Sequence, residues 1–584
     1  MFNKTIKEIV SAHTRETSHR DNDYFSGVSR LLALSPPEED PLAEEDIKKG
    51  LKGLYDKIHD EILYNPGKPT SRISFGTSGW RGILGKDIFC RSVSGVTAAI
   101  LSLYRDAADN RELREALGVK NFSEMQKRGC VVGFDNRFGG PDLALSAVNV
   151  LSANGVKVFY AGEATTGCLS ASVLIHQAAF SINLTPSHNP LQYGGFKYNA
   201  ADAGPAAPIL TNGITERANT IIETNRTEFI TDPDAPLQPL DQLDNIIHIT
   251  ALDDWKELVA RNQTVHGLDY EKIINAFNQE SDLCVVIDSV HGASRKDIPD
   301  FFNNHGEQRL TLLRGNADVT FGGIAPEPSS QNLQPVLAAL AQRKESLKLG
   351  AIIDPDGDRI RFTDGTTEIT MNQFGAMAYH FLHEIKEKKG MVAKTVATSN
   401  LANAVAQGLG EDIFEPKVGF KEFKPVLGNA LVFFEESDGI SIIGHTPEKD
   451  AYIGLLLALD MVLTTKKNLT EYLREIEAQY GAYFPDRDGV TVSQKGGELL
   501  DTLSRLDRYK EGSEVIINGK PKRIDSVITI DGRKMILEDG SWIMIRPSGT
   551  EPKVRFYVEA RNQEETKQLV DTAKSMLAEI GLLS

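Results

Sequence analysis

Strand-length runs of apolar residues alternate along the chain with longer segments in which apolar residues recur at helical spacing. The apolar runs cover residues 130–134, 156–160, 283–287 and 349–353. The helix-like segments include residues 142–153 and 333–343. Alternation of this kind is typical of folds in which helices cover the faces of a sheet. The pattern therefore predicts layered α/β domains.

The first 70 residues predict a helical addition to these domains. Residues 44–63 place apolar side chains on one helical face, at Ile47, Leu51, Leu54, Ile58 and Ile62. Such an amphipathic helix is expected to pack on the first domain, because its apolar face needs a partner. Residues 36–41, which are prolines and acidic residues, are expected to form a loop.

Length and composition set the number of domains and exclude some partners. The 584 residues suffice for about four domains of ordinary size, and 41% hydrophobic with 25% charged residues are globular values. Turns at 212–213, 364–365 and 480–481 place the expected boundaries near 213, 367 and 475. The net charge of −17 argues against nucleic acid as a partner, since phosphate backbones would be repelled.

Cysteine usage and the lack of long apolar runs indicate the compartment. The four cysteines show neither metal-ligand nor disulfide-rich spacing, and no apolar run reaches 18 residues. Together with the absence of a signal peptide, this predicts a cytoplasmic protein without a membrane partner. The pattern does not specify an oligomeric state.

Residues 185–190, Thr-Pro-Ser-His-Asn-Pro, place Ser187 in a polar turn after an apolar stretch. Proline fixes its own φ and biases the preceding residue away from helix, so this serine is expected outside regular structure. A hydroxyl exposed there is suited to carry a phosphoryl group.

The apolar run at 349–353 leads into Asp354, Asp356 and Asp358, which are spaced by two. An extended chain places such residues on one side, and Mg²⁺ takes a few carboxylates and then water or phosphate oxygens. A calcium loop is excluded, because Arg359 stands at the position that requires glycine. A solvated acidic turn is the structural alternative.

Two further loops supply groups for a phosphorylated sugar. Residues 435–439 offer Glu435 and Ser437 to sugar hydroxyls, although a charged surface turn has the same composition. Residues 546–552 offer Arg546, two hydroxyls and the backbone around a glycine, which can enclose a phosphate dianion. No nucleotide P-loop motif occurs.

These four loops, in this order, resemble those of the α-D-phosphohexomutase superfamily, the phosphoglucomutases and phosphomannomutases. The similarity extends to residues 75–82, 133–137, 194–197 and 418–421, and it covers residues 70 to 584 approximately. The resemblance implies three similar α/β/α domains and a smaller C-terminal α+β domain around a central cleft. With the turns above, the expected divisions are 1–70, 71–213, 214–366, 367–475 and 476–584.

The resemblance also implies roles for individual residues. Ser187 corresponds to the phosphoserine and contributes an oxygen to Mg²⁺ beside Asp354, Asp356 and Asp358. Lys197 and His188 correspond to proton-transfer positions, and Arg81 to an arginine that supports the transferring group. Sugar hydroxyls are assigned to Glu435 and Ser437, and the distal phosphate to Arg546, Ser548, Gly549 and Thr550. Phe434 departs from the family pattern, in which glycine opens the sugar loop.

The implied activity is interconversion of hexose 1-phosphate and hexose 6-phosphate, with a hexose 1,6-bisphosphate as intermediate and activator. Glucose, and hence glucose 1,6-bisphosphate, is expected because residues 185–190, 194–199 and 204–206 resemble the glucose-specific branch. Phosphomannomutase or dual specificity is the nearest alternative. A phosphatase that discharges the phosphoserine to water, and a non-catalytic sugar-phosphate sensor, are alternatives from other classes.

Overall fold

The computed structural model describes residues 2–14, 22–34, 41–76, 79–303, 308–548 and 553–583. Its first helices are α1 (Phe2–His13), α2 (Tyr24–Leu32) and α3 (Pro41–Tyr64). Helix α3 confirms the amphipathic helix predicted over 44–63, and it buries Leu54, Ile58 and Ile62 in the core of the domain that follows. The loop predicted at 36–41 lies, up to residue 40, outside the described residues.

The first α/β domain is built on a six-stranded sheet of order β1-β5-β4-β2-β3-β6. Strands β2, β3, β4 and β6 run parallel, whereas β1 and β5 form an antiparallel edge. Its elements are β1 (Trp80–Ile83), α4 (Cys90–Asp106), α5 (Arg111–Leu117), α6 (Phe122–Arg128), β2 (Cys130–Phe134), α7 (Gly140–Ala153), β3 (Val158–Glu163), α8 (Thr166–His176), β4 (Phe180–Leu184), β5 (Tyr193–Ala200), α9 (Pro208–Thr224) and β6 (Ile246–His248).

The turn predicted at Asn212-Gly213 is wrong, because both residues lie inside α9. The apolar side chains of Leu210, Ile214 and Ala218 recur at helical spacing and are buried, so packing overrides the local turn preference. The chain then returns to the same sheet as β6, which pairs with β3. The first sheet therefore extends well past residue 213.

The second domain contains a five-stranded sheet of order β11-β10-β9-β7-β8. Strands β7, β8 and β9 are parallel, and β10 turns back antiparallel to β9. Its elements are α10 (Ala251–Arg261), α11 (Gln263–His266), α12 (Tyr270–Gln279), β7 (Leu283–Asp288), α13 (Ser294–Phe301), β8 (Leu310–Leu313), α14 (Gln334–Ala341), β9 (Leu347–Ile353), β10 (Ile360–Thr363) and β11 (Glu368–Ile369).

The third domain has a four-stranded sheet of order β13-β12-β14-β15. Helix α17 buries almost all of its side chains, and one continuous core joins it to the second sheet and to α8 of the first domain. The elements are α15 (Met371–His380), β12 (Met391–Lys394), α16 (Leu401–Leu409), β13 (Ile413–Phe414), β14 (Ala430–Glu435), β15 (Gly439–Ile442), α17 (Ala451–Thr465) and α18 (Leu469–Tyr480).

The fourth domain is an antiparallel sheet of order β16-β21-β20-β19-β18-β17 with its own core. Its elements are β16 (Phe484–Thr491), α19 (Gly496–Leu503), β17 (Glu514–Ile517), β18 (Lys520–Ile528), β19 (Arg533–Leu537), β20 (Trp542–Pro547), β21 (Lys553–Ala560) and α20 (Gln563–Glu579). The predicted fold class, three α/β/α domains and a C-terminal α+β domain, is confirmed.

The third and fourth domains share a buried interface. Val396 and Ala397 of the third domain form one apolar cluster with Trp542, Met544 and Tyr557 of the fourth. The buried Lys534 donates to the Val396 carbonyl at 2.8 Å and lies 3.1 Å from a Glu415 carboxylate oxygen. The two domains are therefore joined by both apolar packing and buried charge.

Among the residues that the structure describes, no helix combines the length and the apolar character that crossing a membrane requires.

Candidate active site

Ser187 lies in the connection between β4 and β5, where its side chain is buried and its backbone is left-handed, with φ of 58°. Its N–H donates to Thr185 Oγ1 at 2.8 Å. Its Oγ donates to Asp354 Oδ2 at 2.9 Å and lies 3.2 Å from His188 Nδ1. The turn therefore aims the serine hydroxyl at the acidic loop of the second domain.

The acidic loop connects β9 to β10, two antiparallel strands that turn back at this point. Asp354, Asp356 and Asp358 are buried there and present oxygens that all lie within 4.8 Å of one another. Backbone N–H groups of Asp358 and Arg359 donate to Asp354 Oδ1 at 3.0 and 3.1 Å, which fixes that carboxylate. The predicted carboxylate triplet is thus brought onto one side, next to Ser187.

The donor set fits a hard divalent cation. Within the part of the chain that the structure describes, Asp356 Oδ1 and Asp358 Oδ1 are buried without a hydrogen-bond partner, which is costly unless another group supplies positive charge. Burial and the two neighbouring carboxylates raise the pKa of Asp354 well above its ordinary value. A Mg²⁺ ion takes few protein carboxylates and would relieve both effects.

Lys197 lies on β5 opposite Asn183 and points into the same cluster. Its Nζ donates to Asp356 Oδ2 at 2.5 Å and to Asp358 Oδ2 at 2.8 Å. Although burial disfavours its charge, the Asp356 and Asp358 carboxylates raise the pKa of Lys197. Lys197 is accordingly held in its charged form, as a hydrogen-bond donor to two of the three carboxylates.

His188 and Arg81 flank the serine turn. Burial, together with the guanidinium groups of Arg359 and Arg81, lowers the pKa of His188 well below its ordinary value, so its imidazole is neutral. Arg81 lies on β1 opposite Gly195 of β5, and its charge reaches both His188 and Arg137. The structure therefore brings both residues to the Ser187 turn.

The predicted sugar loop is the tight hairpin between β14 and β15, in which Glu435 pairs with Gly439. Glu435 is buried and accepts from the Gly419 N–H at 2.8 Å, while Ser437 is half-buried at the tip. Burial and the neighbouring Glu436 raise the pKa of Glu435 to about 7, against the opposing effect of Lys449.

Phe434, which departs from the family pattern, does not enter the cleft. Its side chain is fully buried, and its ring occupies the space that a side chain at Gly375 of α15 would need. Phe434 therefore fills the core behind the predicted sugar loop.

The predicted phosphate loop begins at the end of β20. Arg546 Nε lies 3.0 Å from Asp531 Oδ2, and the same carboxylate oxygen accepts from the Val418 N–H of the third domain at 3.0 Å. Ser548 N–H donates to the Lys553 carbonyl at 2.8 Å. Gly549 and Thr550 lie outside the described residues, so their assignment stays a prediction.

Several groups near the carboxylates were not predicted from the sequence. Lys449 Nζ lies 3.5 Å from Asp358 Oδ2, and Arg359 Nε lies 3.6 Å from Asp358 Oδ1. Arg137 holds the backbone of the serine turn. The family-like run at 133–137 contained one of these residues, Arg137, but nothing in its local pattern indicated which loop it would reach.

A four-domain chain that places a buried serine beside three carboxylates has the architecture of an α-D-phosphohexomutase. Sequence models of phosphoglucomutase/phosphomannomutase match in order: alpha/beta/alpha domain I at residues 72–225, domain II at 269–367, domain III at 370–480 and the C-terminal domain at 491–574. The chain belongs to the phosphoglucomutase/phosphomannomutase family. It is a mutase, an enzyme that transfers a phosphoryl group.

Similar proteins agree on the family, but their names refer to different sugars. A phosphoglucomutase of Komagataeibacter xylinus is 26% identical over 85% of this chain and 89% of its own length. A phosphoglucomutase/phosphomannomutase of Thermococcus kodakarensis is 24% identical over 86% of this chain and 98% of its own length. Membership of the family therefore does not determine which sugar phosphate the enzyme uses.

Solved structures show the same fold. A phosphomannomutase-like protein from Thermus thermophilus has a TM-score of 0.66 at 24% identity, covering 87% of this chain and 99% of its own. The N-acetylphosphoglucosamine mutase of Aspergillus fumigatus, solved with GlcNAc-6P and magnesium, has a TM-score of 0.50 at 14% identity, covering 90% and 99%. The family is magnesium-dependent, which agrees with the carboxylate cluster described above.

Proposed function

We propose that the enzyme interconverts hexose 1-phosphate and hexose 6-phosphate through phosphorylated Ser187 and a hexose 1,6-bisphosphate, with glucose as the sugar. The observation that carries the proposal is the approach of Ser187 Oγ to Asp354 Oδ2, 2.9 Å, inside a buried triplet of carboxylates. A serine beside a metal-binding cluster is suited to hold and to release a phosphoryl group.

Asp354, Asp356 and Asp358, with an oxygen of phosphorylated Ser187, would hold Mg²⁺. When bound, the ion would supply positive charge to the phosphoryl oxygens. Transfer breaks the bond between phosphorus and Ser187 Oγ and forms one to a sugar hydroxyl oxygen, which releases its proton. His188 Nδ1 lies 3.2 Å from Ser187 Oγ, and its imidazole is able to accept that proton, whereas Lys197 is engaged as a hydrogen-bond donor.

The two ends of the substrate are assigned to different sites. The end that reacts lies at Ser187, and Glu435 and Ser437 contact sugar hydroxyls. The other phosphate lies near Arg546, which Asp531 holds through its ε nitrogen. Because the bisphosphate must present each phosphate to Ser187 in turn, glucose 1,6-bisphosphate serves as both intermediate and activator.

Glucose is proposed because the runs 185–190, 194–199 and 204–206 resemble the glucose-specific branch. Phosphomannomutase or dual activity is the second candidate, favoured by the mixed names of the relatives. A coupled assay would compare glucose, mannose, glucosamine and N-acetylglucosamine 1-phosphates, each primed with its 1,6-bisphosphate. The highest kcat/KM is expected for glucose 1-phosphate. A higher value for another sugar phosphate would make that sugar the substrate in place of glucose.

Phosphopeptide mass spectrometry tests the carrier. After incubation with glucose 1,6-bisphosphate the phosphoryl group is expected on Ser187, and Ser187→Ala is expected to abolish turnover, whereas the exposed Ser504→Ala is expected to retain it. A label on another residue, or full activity of Ser187→Ala, would contradict the mechanism. Release of inorganic phosphate at the rate of turnover would make the enzyme a phosphatase instead.

The cytoplasmic location is part of the same proposal. All four cysteines are buried and unpaired, which suits a reducing compartment.

A further inference from the structure

One buried guanidinium spans the whole Ser187 turn. Arg137, which follows β2, donates through Nη2 to the Ser187 carbonyl at 2.7 Å and also to the Asn189 carbonyl. Through Nη1 it donates to the Pro190 carbonyl at 2.6 Å and to the Tyr193 carbonyl at 3.4 Å. The planar fork of arginine matches several acceptors at once, which a lysine ammonium on a flexible stem does not reproduce.

The turn needs such support because Ser187 occupies the left-handed region. A non-glycine residue with φ of 58° is strained, and the conformation persists only where surrounding contacts determine it. Asp135, two residues before Arg137, accepts from Thr185 Oγ1 at 2.7 Å, and that oxygen accepts the Ser187 N–H. The segment after β2 thus fixes both the N–H and the carbonyl of Ser187.

The same segment reaches the metal loop. Asn136 Nδ2 donates to the His291 carbonyl of the second domain at 2.6 Å. Two residues further on, the Ala293 N–H donates to the Pro355 carbonyl at 2.8 Å, between two of the three carboxylates. Residues 135–137 therefore set the position of the serine relative to the cluster it faces.

Aromatic side chains support Arg137 from behind. The Arg137 guanidinium lies 4.8 Å from the centre of the ring of Phe321, which belongs to the second domain. The next residue, Phe138, packs its ring 4.7 Å from that of Tyr55 on α3. Helix α3 ends at Tyr64, before the first family match begins at residue 72.

We propose that Arg137 is a positioning residue for phosphoryl transfer and that α3 supports it through the Tyr55–Phe138 contact. The inference rests on the proposed role of Ser187 as the phosphoryl carrier. It gives α3, which lies outside the family match, a part in aligning the serine with the carboxylates.

The first test is Arg137→Lys, which keeps the charge and loses the fork. Phosphorylation of the dephosphorylated enzyme by glucose 1,6-bisphosphate, followed by mass spectrometry, is expected to slow about 100-fold, as a small misplacement of a reacting group does. The kcat should fall equally, while KM for glucose 1-phosphate stays within about threefold. Labelling at the wild-type rate would overturn the inference. So would slower labelling that is fully explained by a lower melting temperature of the variant.

Two further variants keep the test decisive if Arg137→Lys does not fold. Phe321→Leu removes only the ring beneath the guanidinium and should slow the same labelling step. Tyr55→Ala should slow it too, whereas Tyr64→Ala, an exposed aromatic residue on the same helix, should not. Equal labelling rates in Tyr55→Ala and Tyr64→Ala would remove α3 from the proposal.

The wild-type enzyme separates this inference from the proposed function. If wild-type Ser187 never becomes phosphorylated, the proposed function fails first. If wild-type Ser187 is phosphorylated and Arg137→Lys is labelled at the same rate, only the positioning role of Arg137 fails.

Discussion

Lys197 Nζ donates to Asp356 Oδ2 at 2.5 Å, and the same ammonium reaches Asp358 Oδ2 at 2.8 Å. One buried cation thus balances part of the charge of the three carboxylates. Lys197 and a divalent cation are therefore electrostatically coupled, because both act on the same carboxylates.

Lys197→Met should expose that coupling. Leaving buried carboxylates unpaired is expected to lower the free energy of unfolding by about 3–5 kcal/mol without metal. Added Mg²⁺ should then raise the melting temperature more in the variant than in the wild type, although turnover is lost. Thermal unfolding with and without Mg²⁺ measures this, with the exposed Lys510→Met as control. Equal Mg²⁺ shifts in both proteins would contradict the coupling.

Asp356→Asn removes one charge from the carboxylate cluster with little change in shape. Turnover should collapse while the fold is retained, since the cluster loses affinity for Mg²⁺. EDTA should abolish wild-type activity, and excess Mg²⁺ should restore it. Steady-state assays and circular dichroism follow both effects, and Asp501→Asn on the surface serves as control. Full activity after either treatment would make the triplet a structural feature only.

Glu435 predicts a pH dependence of sugar binding. Burial raises its pKa to about 7, so its charged fraction rises between about pH 6 and pH 8. A carboxylate accepts hydrogen bonds from hydroxyls better than the protonated acid, so KM should fall as pH rises through this range. Glu435→Gln should lose this part of the dependence and keep the part due to ionisation of the substrate phosphate. Identical dependence of KM on pH in the wild type and in Glu435→Gln would show that Glu435 does not contribute to sugar binding.

Arg546→Ala tests the distal phosphate site. Loss of this charged contact should weaken binding of the 1-phosphate, the 6-phosphate and the bisphosphate by about 2–5 kcal/mol. High concentrations of bisphosphate should still phosphorylate Ser187, because the carboxylate cluster is untouched. Isothermal titration measures the affinities, with Lys510→Ala as control. A variant impaired toward only one monophosphate would contradict a shared distal site.

The strands and helices with strong periodicity could be predicted from the sequence. Strand β2 matches the apolar run at 130–134, and α7 begins two residues before the helix-like segment at 142–153. The turn predicted at Asn212-Gly213 was wrong because buried apolar neighbours on one face of α9 outweigh the local turn preference of this dipeptide. Periodicity reports which face is buried, and a dipeptide does not.

The candidate site was predictable only as separate loops. Ser187 and Asp354 are 167 positions apart, and only the arrangement of two domains brings their side chains to 2.9 Å. Lys449 and Arg137 carried no local signal of their partners, because an arginine that binds backbone carbonyls has no characteristic spacing. Such residues become visible when the loops they connect are placed together.

The buried interface between the third and fourth domains limits how this enzyme could be recombined with its relatives. A C-terminal domain cut away near residue 480 would leave Trp542, Met544 and Tyr557 facing water, and Lys534 without Glu415. In a chimaera, Val396 would pack against a C-terminal domain whose surface complements a different third domain. Domain exchange between such enzymes should therefore succeed when the third and fourth domains are transferred together from the same protein.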